Sequence, residues 1–229
     1  MNARLLRPLA SGFNPKSIAG LVGWWDADDA STITLNSTTV SEWRDKSGNG
    51  RHVAMSTAAN QPAYASNSLN GRAGIDWGAQ GSGKRLSRES LSLTARDFFI
   101  VADWDGGATF SNTETLLTAS GVGNPIGGDA ATLLWRQFST SDRVVLNNGA
   151  SSATALPTIS SPFVLRSTYT SAAASSACTA LHFGQFATFG NRGWGGEIYE
   201  VIIYDSSLSA SAASRVQRYL AGKWGITLS

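Results

Sequence analysis

Gly193-Trp-Gly-Gly-Glu-Ile-Tyr-Glu-Val-Ile-Ile-Tyr-Asp205, then Ser206-Ser-Leu-Ser209, then an Ala-rich run ending Arg218-Tyr-Leu-Ala-Gly-Lys-Trp-Gly225, is the stretch that decides the fold. Residues 198–204 are apolar on both faces. Simple alternation puts Tyr199, Val201 and Ile203 on one face and Ile198, Ile202 and Tyr204 on the other. Such a strand belongs inside a sheet, because an exposed edge of that composition would template aggregation. Ser209 is placed to cap a helix, and Val216, Leu220 and Trp224 recur every fourth residue as one apolar stripe. Gly225 then stops the helix. The reading is one strong strand, one turn and one short closing helix.

Outward from that stretch, the 229 residues suit one large all-β domain, with 42% apolar residues for a core and only 15% charged. A net charge of +2 does not suit wrapping a nucleic-acid backbone. The single cysteine, Cys178, excludes an intramolecular disulfide framework, so packing must supply the stability. No apolar run approaches the ~18 residues of a membrane span. Leu5-Leu6 is cut short by Arg7-Pro8 and makes no signal-peptide core, so the chain is expected to be made and folded in the cytosol.

Residues 1–17 differ from the rest. Arg4, Arg7 and Lys16 occur there without an acidic residue, and Pro8, Gly12 and Pro15 prevent a long helix. Two readings stay open: a free tail, or an arm that orders against a partner by burying Leu5, Leu6, Leu9 and Phe13. From residue 18 to 229 a single domain is expected. Strand signals fall at residues 18–25, 40–43, 51–55, 73–77, 97–104, 114–119, 131–138, 143–146, 163–170 and 178–185, besides the closing strand. Turns separate them, among them Asp45-Lys-Ser-Gly-Asn-Gly50 and Asn70-Gly71. Strands without alternating helices mean antiparallel sheets packed face to face.

The openings Gly20-Leu-Val-Gly-Trp-Trp-Asp-Ala-Asp-Asp-Ala-Ser-Thr32 and Val40-Ser-Glu-Trp-Arg-Asp-Lys-Ser-Gly-Asn-Gly-Arg-His52 join the closing stretch in resembling a known family. They are similar to the concanavalin A-like, laminin-G-like jelly rolls, in the variety frequent in bacteriophage structural proteins and large bacterial surface proteins. The motifs cover both ends of the domain, roughly residues 18–55 and 193–225. The resemblance implies an antiparallel two-sheet jelly-roll sandwich, with the strand at Trp24 beside the closing strand at Val201. It also implies a non-enzymatic virion protein, a capsid decoration, head fibre or tail component. Such a protein would dock on other virion proteins through Arg4, Leu5, Leu6, Arg7, Leu9 and Phe13, sit as a homo-oligomer on the particle, and present a lectin-like domain to host surface glycans. The alternative is a stand-alone bacterial carbohydrate-binding or adhesin module.

Glucanase relatives carry paired carboxylates on one strand face. The nearest match here, Glu197 and Glu200, is offset by three, which alternation places on opposite faces. Cys178 and His182 lie ~13 Å apart along a strand, beyond hydrogen-bond reach, and read as a buried thiol and a satisfied histidine. His52 reads as structural. Asp26, Asp28, Asp29 and Asp45 offer hard oxygens for calcium, which some relatives bind. Tyr199, where relatives often carry an acid, argues instead for carboxylates that cap turns. For sugar stacking, Trp24, Trp25, Trp43, Trp77 and Trp224 fall at core positions, whereas Trp104 and Trp194 sit at loop boundaries and, with Asn191 and Arg192, are the glycan candidates.

Overall fold

The computed structural model describes residues 12–105, 113–120, 126–129, 134–136, 143–146, 162–168, 176–186 and 189–228. Its centre is the closing strand, Glu197–Tyr204. On one side it pairs antiparallel with Leu21–Asp26, setting Trp24 opposite Ile202 and Trp25 opposite Val201. On the other it pairs with Asp97–Ala102, setting Ile100 opposite Val201 and Phe99 opposite Ile202. Asp97–Ala102 pairs in turn with Phe163–Thr168, and that strand with Arg143–Leu146. The apolar composition of residues 198–204 thus has its physical outlet: both edges of the strand are covered.

The first residues of the closing strand also lead elsewhere. Glu197 and Ile198 pair with Asp76 and Ile75 of Arg72–Asp76. From there ladders run through Ala63–Leu69, Thr39–Trp43, Val53–Ala54, Leu86–Arg88 and Ala180–Phe183 to Thr113–Ser120. Among the described residues seventeen strands join one sheet, curled nearly into a barrel. Its ladders are antiparallel apart from the Thr115–Gly193 pairing. Strands such as Ala63–Leu69 and Ile126–Asp129 were not expected, being rich in Ser and Asn or in Gly. Cross-strand hydrogen bonding, not intrinsic preference, makes them strands.

A β-bulge changes the faces of the closing strand. Ile198 faces Ala102 and Glu200 faces Val101, so Tyr199 is the extra residue. Beyond it, Val201 and Ile203 point into the interior with Trp25, Phe98 and Ile100, while Ile202 and Tyr204 face the closing helix, as alternation requires. Before it the parity reverses, correcting the simple alternation: Ile198 joins the interior and Tyr199 the helix side.

The helix, Ala210–Trp224, covers that second face with Val216, Leu220 and Trp224 buried. Ser209 caps its start by accepting from the Ala212 N–H, and Gly225 ends it in the left-handed conformation, at φ 68°. The Asn70-Gly71 hairpin tip completes the C-terminus. Asn70 donates its side-chain amide to the Trp224 carbonyl at 2.8 Å, and Arg72 donates to the Lys223 carbonyl at 2.8 Å. These satisfy carbonyls that the helix itself leaves open. Residues 13–17, assigned to the arm by sequence, lie on the domain: Pro15 is buried, its carbonyl accepts from the Tyr204 hydroxyl at 3.1 Å, and the Phe13 ring packs 5.4 Å from that of Tyr219.

Gly184 tests this packing. Its φ is +78°, and a Cβ there would lie 2.0 Å from a ring carbon of the fully buried Trp77. Gly184→Ala should therefore lower the unfolding free energy by about 2 kcal/mol or more in urea melts, from backbone strain and overpacking together. An unchanged midpoint would contradict the described Trp77 packing.

Candidate functional site

The carboxylate of Glu200 is fully buried and takes four hydrogen bonds from the opening strand and the closing helix. Trp24 Nε1 and the Tyr219 hydroxyl donate to its Oε1 at 2.8 and 3.0 Å. Lys223 Nζ and Trp224 Nε1 donate to its Oε2 at 2.9 and 2.8 Å. Burial and the nearby Asp26 charge push this carboxyl up; Lys223 and Trp224 pull it back. Four donors occupy all the acceptor positions of an ionised carboxylate. Lys223 also bridges to Asp26, whose other oxygen takes Lys46 at 2.8 Å, and Lys46 reaches Asp29 at 2.7 Å. Burial disfavours the Lys46 charge, but the hydrogen bonds it donates to Asp26 and Asp29 outweigh this and raise its pKa. The Lys46 hydrogen bond is likewise the main cause that lowers Asp29.

A second carboxyl group lies at the hydroxyl end of Tyr199. Asp103 accepts from the Glu197 N–H at 2.7 Å and from the Tyr199 hydroxyl at 2.6 Å, and Ser68 donates to Glu197 at 3.0 Å. Gly196, at φ +121°, is required here, because a Cβ would fall 2.8 Å from the Asp103 carbonyl oxygen. Burial, the Asp103 charge and a hydrogen bond shared with Asp103 push the Glu197 carboxyl up to about 7. Burial and the charges of Asp103 and Asp76 raise Asp105 as well. Tyr199 is raised by burial and by its bond to Asp103.

The bulge therefore corrects the expected separation of Glu197 and Glu200. Glu197 shares Ser68 and Asp103 with Tyr199, and Glu200 bonds Trp24 and Trp224, all on the helix side of the sheet. They still make no glycosidase pair, since every Glu200 acceptor position is filled by a protein donor. A general acid or nucleophile needs an oxygen open to substrate.

The calcium candidates are also engaged by protein groups. Asp26 holds Lys46 and Lys223, and Asp28 holds Arg72 and the Ala73 N–H. Asp45 accepts from the N–H groups of Trp24, Ser47 and Arg51 at 3.0, 2.8 and 3.0 Å. These carboxylates cap turns and pair with cations. Among the described residues no group of three or more His, Cys, Asp or Glu side chains is gathered to hold a metal ion.

The glycan candidates need a plain correction. Trp194 and Trp104 are 0% and 5% exposed, with ring centroids 4.9 Å apart, and Trp194 donates its indole N–H to the Asp103 carbonyl at 2.8 Å. Neither offers a face to a sugar. The aromatic composition of the interior absorbs them: Phe163 lies edge-on to Trp194 at 6.4 Å. Arg192 is half-buried in Phe189–Gly193, and Asn191 sits in the same strand, its side chain outside the described residues. Cys178 is buried, and His52 accepts the Asp45 N–H at 3.0 Å, both as expected. Arg4, Leu5, Leu6, Arg7 and Leu9 lie outside the described residues.

One concavity was missed. A groove of about 620 Å³ runs between the Gly12–Phe13 segment and the outer face of the helix, lined by Arg72, Arg215, Arg218, Tyr219, Gly222 and Lys223. The signal was present: residues 210–224 contain Arg215, Arg218 and Lys223 and no acidic residue.

No family model and no curated protein matches the chain. Among solved structures it is similar to a Trypanosoma rangeli sialidase in complex with 2-keto-3-deoxy-D-glycero-D-galacto-2,3-difluoro-nononic acid, at 13% identity and TM-score 0.47, over 92% of this chain and 34% of that one. It is similar also to a second Trypanosoma rangeli sialidase structure, at 12% identity and TM-score 0.45, over 90% of this chain and 33% of the other. The chain spans about a third of the length of those proteins. A likeness this distant carries no argument about activity.

Two outcomes follow from the carboxyl groups. Lys223→Met strands the buried charge of Glu200, leaves Asp26 with Lys46 as its one cation, and should cost about 3–5 kcal/mol in urea unfolding, whereas loss of an exposed pair would cost ~1 kcal/mol or less. Glu197 holds a proton in the folded chain up to about pH 7, whereas its ordinary value is 4.5. Between those values the folded state binds more protons than the unfolded one, so this group's stabilisation, full at lower pH, is lost as pH rises through about 7. Glu197→Gln should flatten that part of the stability–pH curve. A slope identical to that of the parent chain would refute the shared proton.

Proposed function

We propose that this chain is a non-enzymatic structural module, a two-sheet jelly roll of the concanavalin A-like kind, that docks on a larger particle by its N-terminal arm. On the resemblance of its end motifs, the particle is a bacteriophage virion. The observation that carries this reading is the anchoring of Phe13 and Pro15 on the closing helix and closing strand. An arm rooted in the domain in this way can transmit a firm grip, because the residues leading into it are not a loose linker. Phe13 stacks beneath Arg215, with the guanidinium carbon 5.1 Å from the ring centroid, so the root of the arm is also a cationic face.

The carboxyls that enzymes of this fold class would use are committed elsewhere. Glu200 binds the helix, and Asp26, Asp28 and Asp45 hold cations and turns. Burial of Trp104 and Trp194 removes the ring faces that these two residues would have offered a sugar. Attachment is the role that the exposed cationic face around Phe13 and Arg215 supports.

Particles purified on a density gradient from the producing host should contain the chain. Deleting residues 1–11 should remove it from them and leave its melting temperature nearly unchanged. Absence of the full chain from the particles overturns the virion reading; retention of the shortened chain overturns the arm as the attachment element.

A further inference from the structure

We infer that the groove between Phe13 and the outer face of the closing helix receives an acidic segment of a partner protein, gripped by Arg215 and Arg218. The inference rests on the attachment reading above and names the partner's chemistry.

The groove is cationic. Of the cations on the groove, Lys223 is neutralised by Asp26 and Glu200, and Arg72 by Asp28. Arg215 and Arg218 make no ion pair with a carboxylate among the described residues: Arg215 lies over the Phe13 ring, and Arg218 donates to the Ser214 hydroxyl at 2.9 Å. Both side chains are exposed. Two guanidinium forks facing one concavity favour carboxylates, which they bind through paired hydrogen bonds.

At about 620 Å³ the groove has room for several amino-acid residues and far exceeds a single phosphate. Its aromatic wall is preset, because the Tyr219 hydroxyl is tied to Glu200 at 3.0 Å and its ring lies against Phe13. Rings beside guanidinium groups suit a segment in which acidic and apolar side chains are mixed. Gly222 contributes by what it lacks. It is exposed inside the helix, where glycine costs about 1 kcal/mol relative to alanine. With no side chain there, that side of the groove stays open.

Residues 1–11 carry Arg4 and Arg7 and no acidic residue, so that segment does not supply the counter-charge. A partner met on attachment to a particle can supply it.

The test uses the full chain and a labelled Asp/Glu-rich peptide, with its Asn/Gln counterpart as control, followed by fluorescence anisotropy. The acidic peptide should bind, more weakly at higher salt, and the amide peptide should not. Arg215→Ala with Arg218→Ala should weaken binding roughly tenfold or more. Gly222→Leu should block it while helix content is retained by circular dichroism. Equal binding by the parent and the double variant overturns the inference, as does inorganic phosphate or heparin competing as well as the acidic peptide. Particle co-sedimentation separates this from the attachment reading. If the double variant still sediments with particles and neither form binds peptide, the groove fails and attachment stands. If groove-dependent peptide binding is seen in a chain absent from particles, attachment fails and the groove stands.

Discussion

The arrangement depends on a single buried carboxylate. Glu200 sits at the middle of the closing strand, and its four donors come from the opening strand, through Trp24, and from the closing helix, through Tyr219, Lys223 and Trp224. Removing a carboxylate from water is costly, and only a full set of donors and a counter-charge offsets it. The network therefore admits one placement of the helix: a small slide would leave Glu200 unsatisfied. Apolar burial of Val216, Leu220 and Trp224 drives the helix onto the sheet, and Glu200 selects where it stops.

The same node explains why the basic groove lies where it does. Tyr219 is tied to Glu200, and Lys223 to Glu200 and Asp26, which fixes the rotation of the helix and so which of its residues face outward. Arg215, Arg218 and Gly222 are among them. Phe13 closes the other side because Pro15 is held by Tyr204, the last residue of the closing strand. A structural carboxylate in the core thus shapes an exposed cationic surface.

How legible this was varied with the kind of information needed. Ser209 as cap, Gly225 as stop and the stripe Val216–Leu220–Trp224 were readable because each is a local rule about one helix. The pairing of the opening and closing strands followed from the resemblance of the end motifs, and the ladder that sets Trp24 opposite Ile202 and Trp25 opposite Val201 has that form. Trp104 and Trp194 were misread because a loop-boundary position does not tell whether a second aromatic ring lies across from it. The Tyr199 bulge was unreadable for a related reason: nothing in Glu-Ile-Tyr-Glu marks an extra residue until Ala102 and Val101 stand opposite.

The sequence by itself determined the composition of an all-β chain, the closing strand as an interior one, the helix with both its ends, and a chain held by packing without disulfides. Those properties depend on spacing and on residue type, which the chain carries locally. Only the tertiary structure decided which face each residue takes around Tyr199, that Asp26 and Asp28 are already paired with cations and Asp45 with N–H groups, and that Arg215 and Arg218 line one groove with Phe13. Each of these requires two segments far apart in the chain to meet, and the energy of that meeting belongs to the pair and not to either stretch alone.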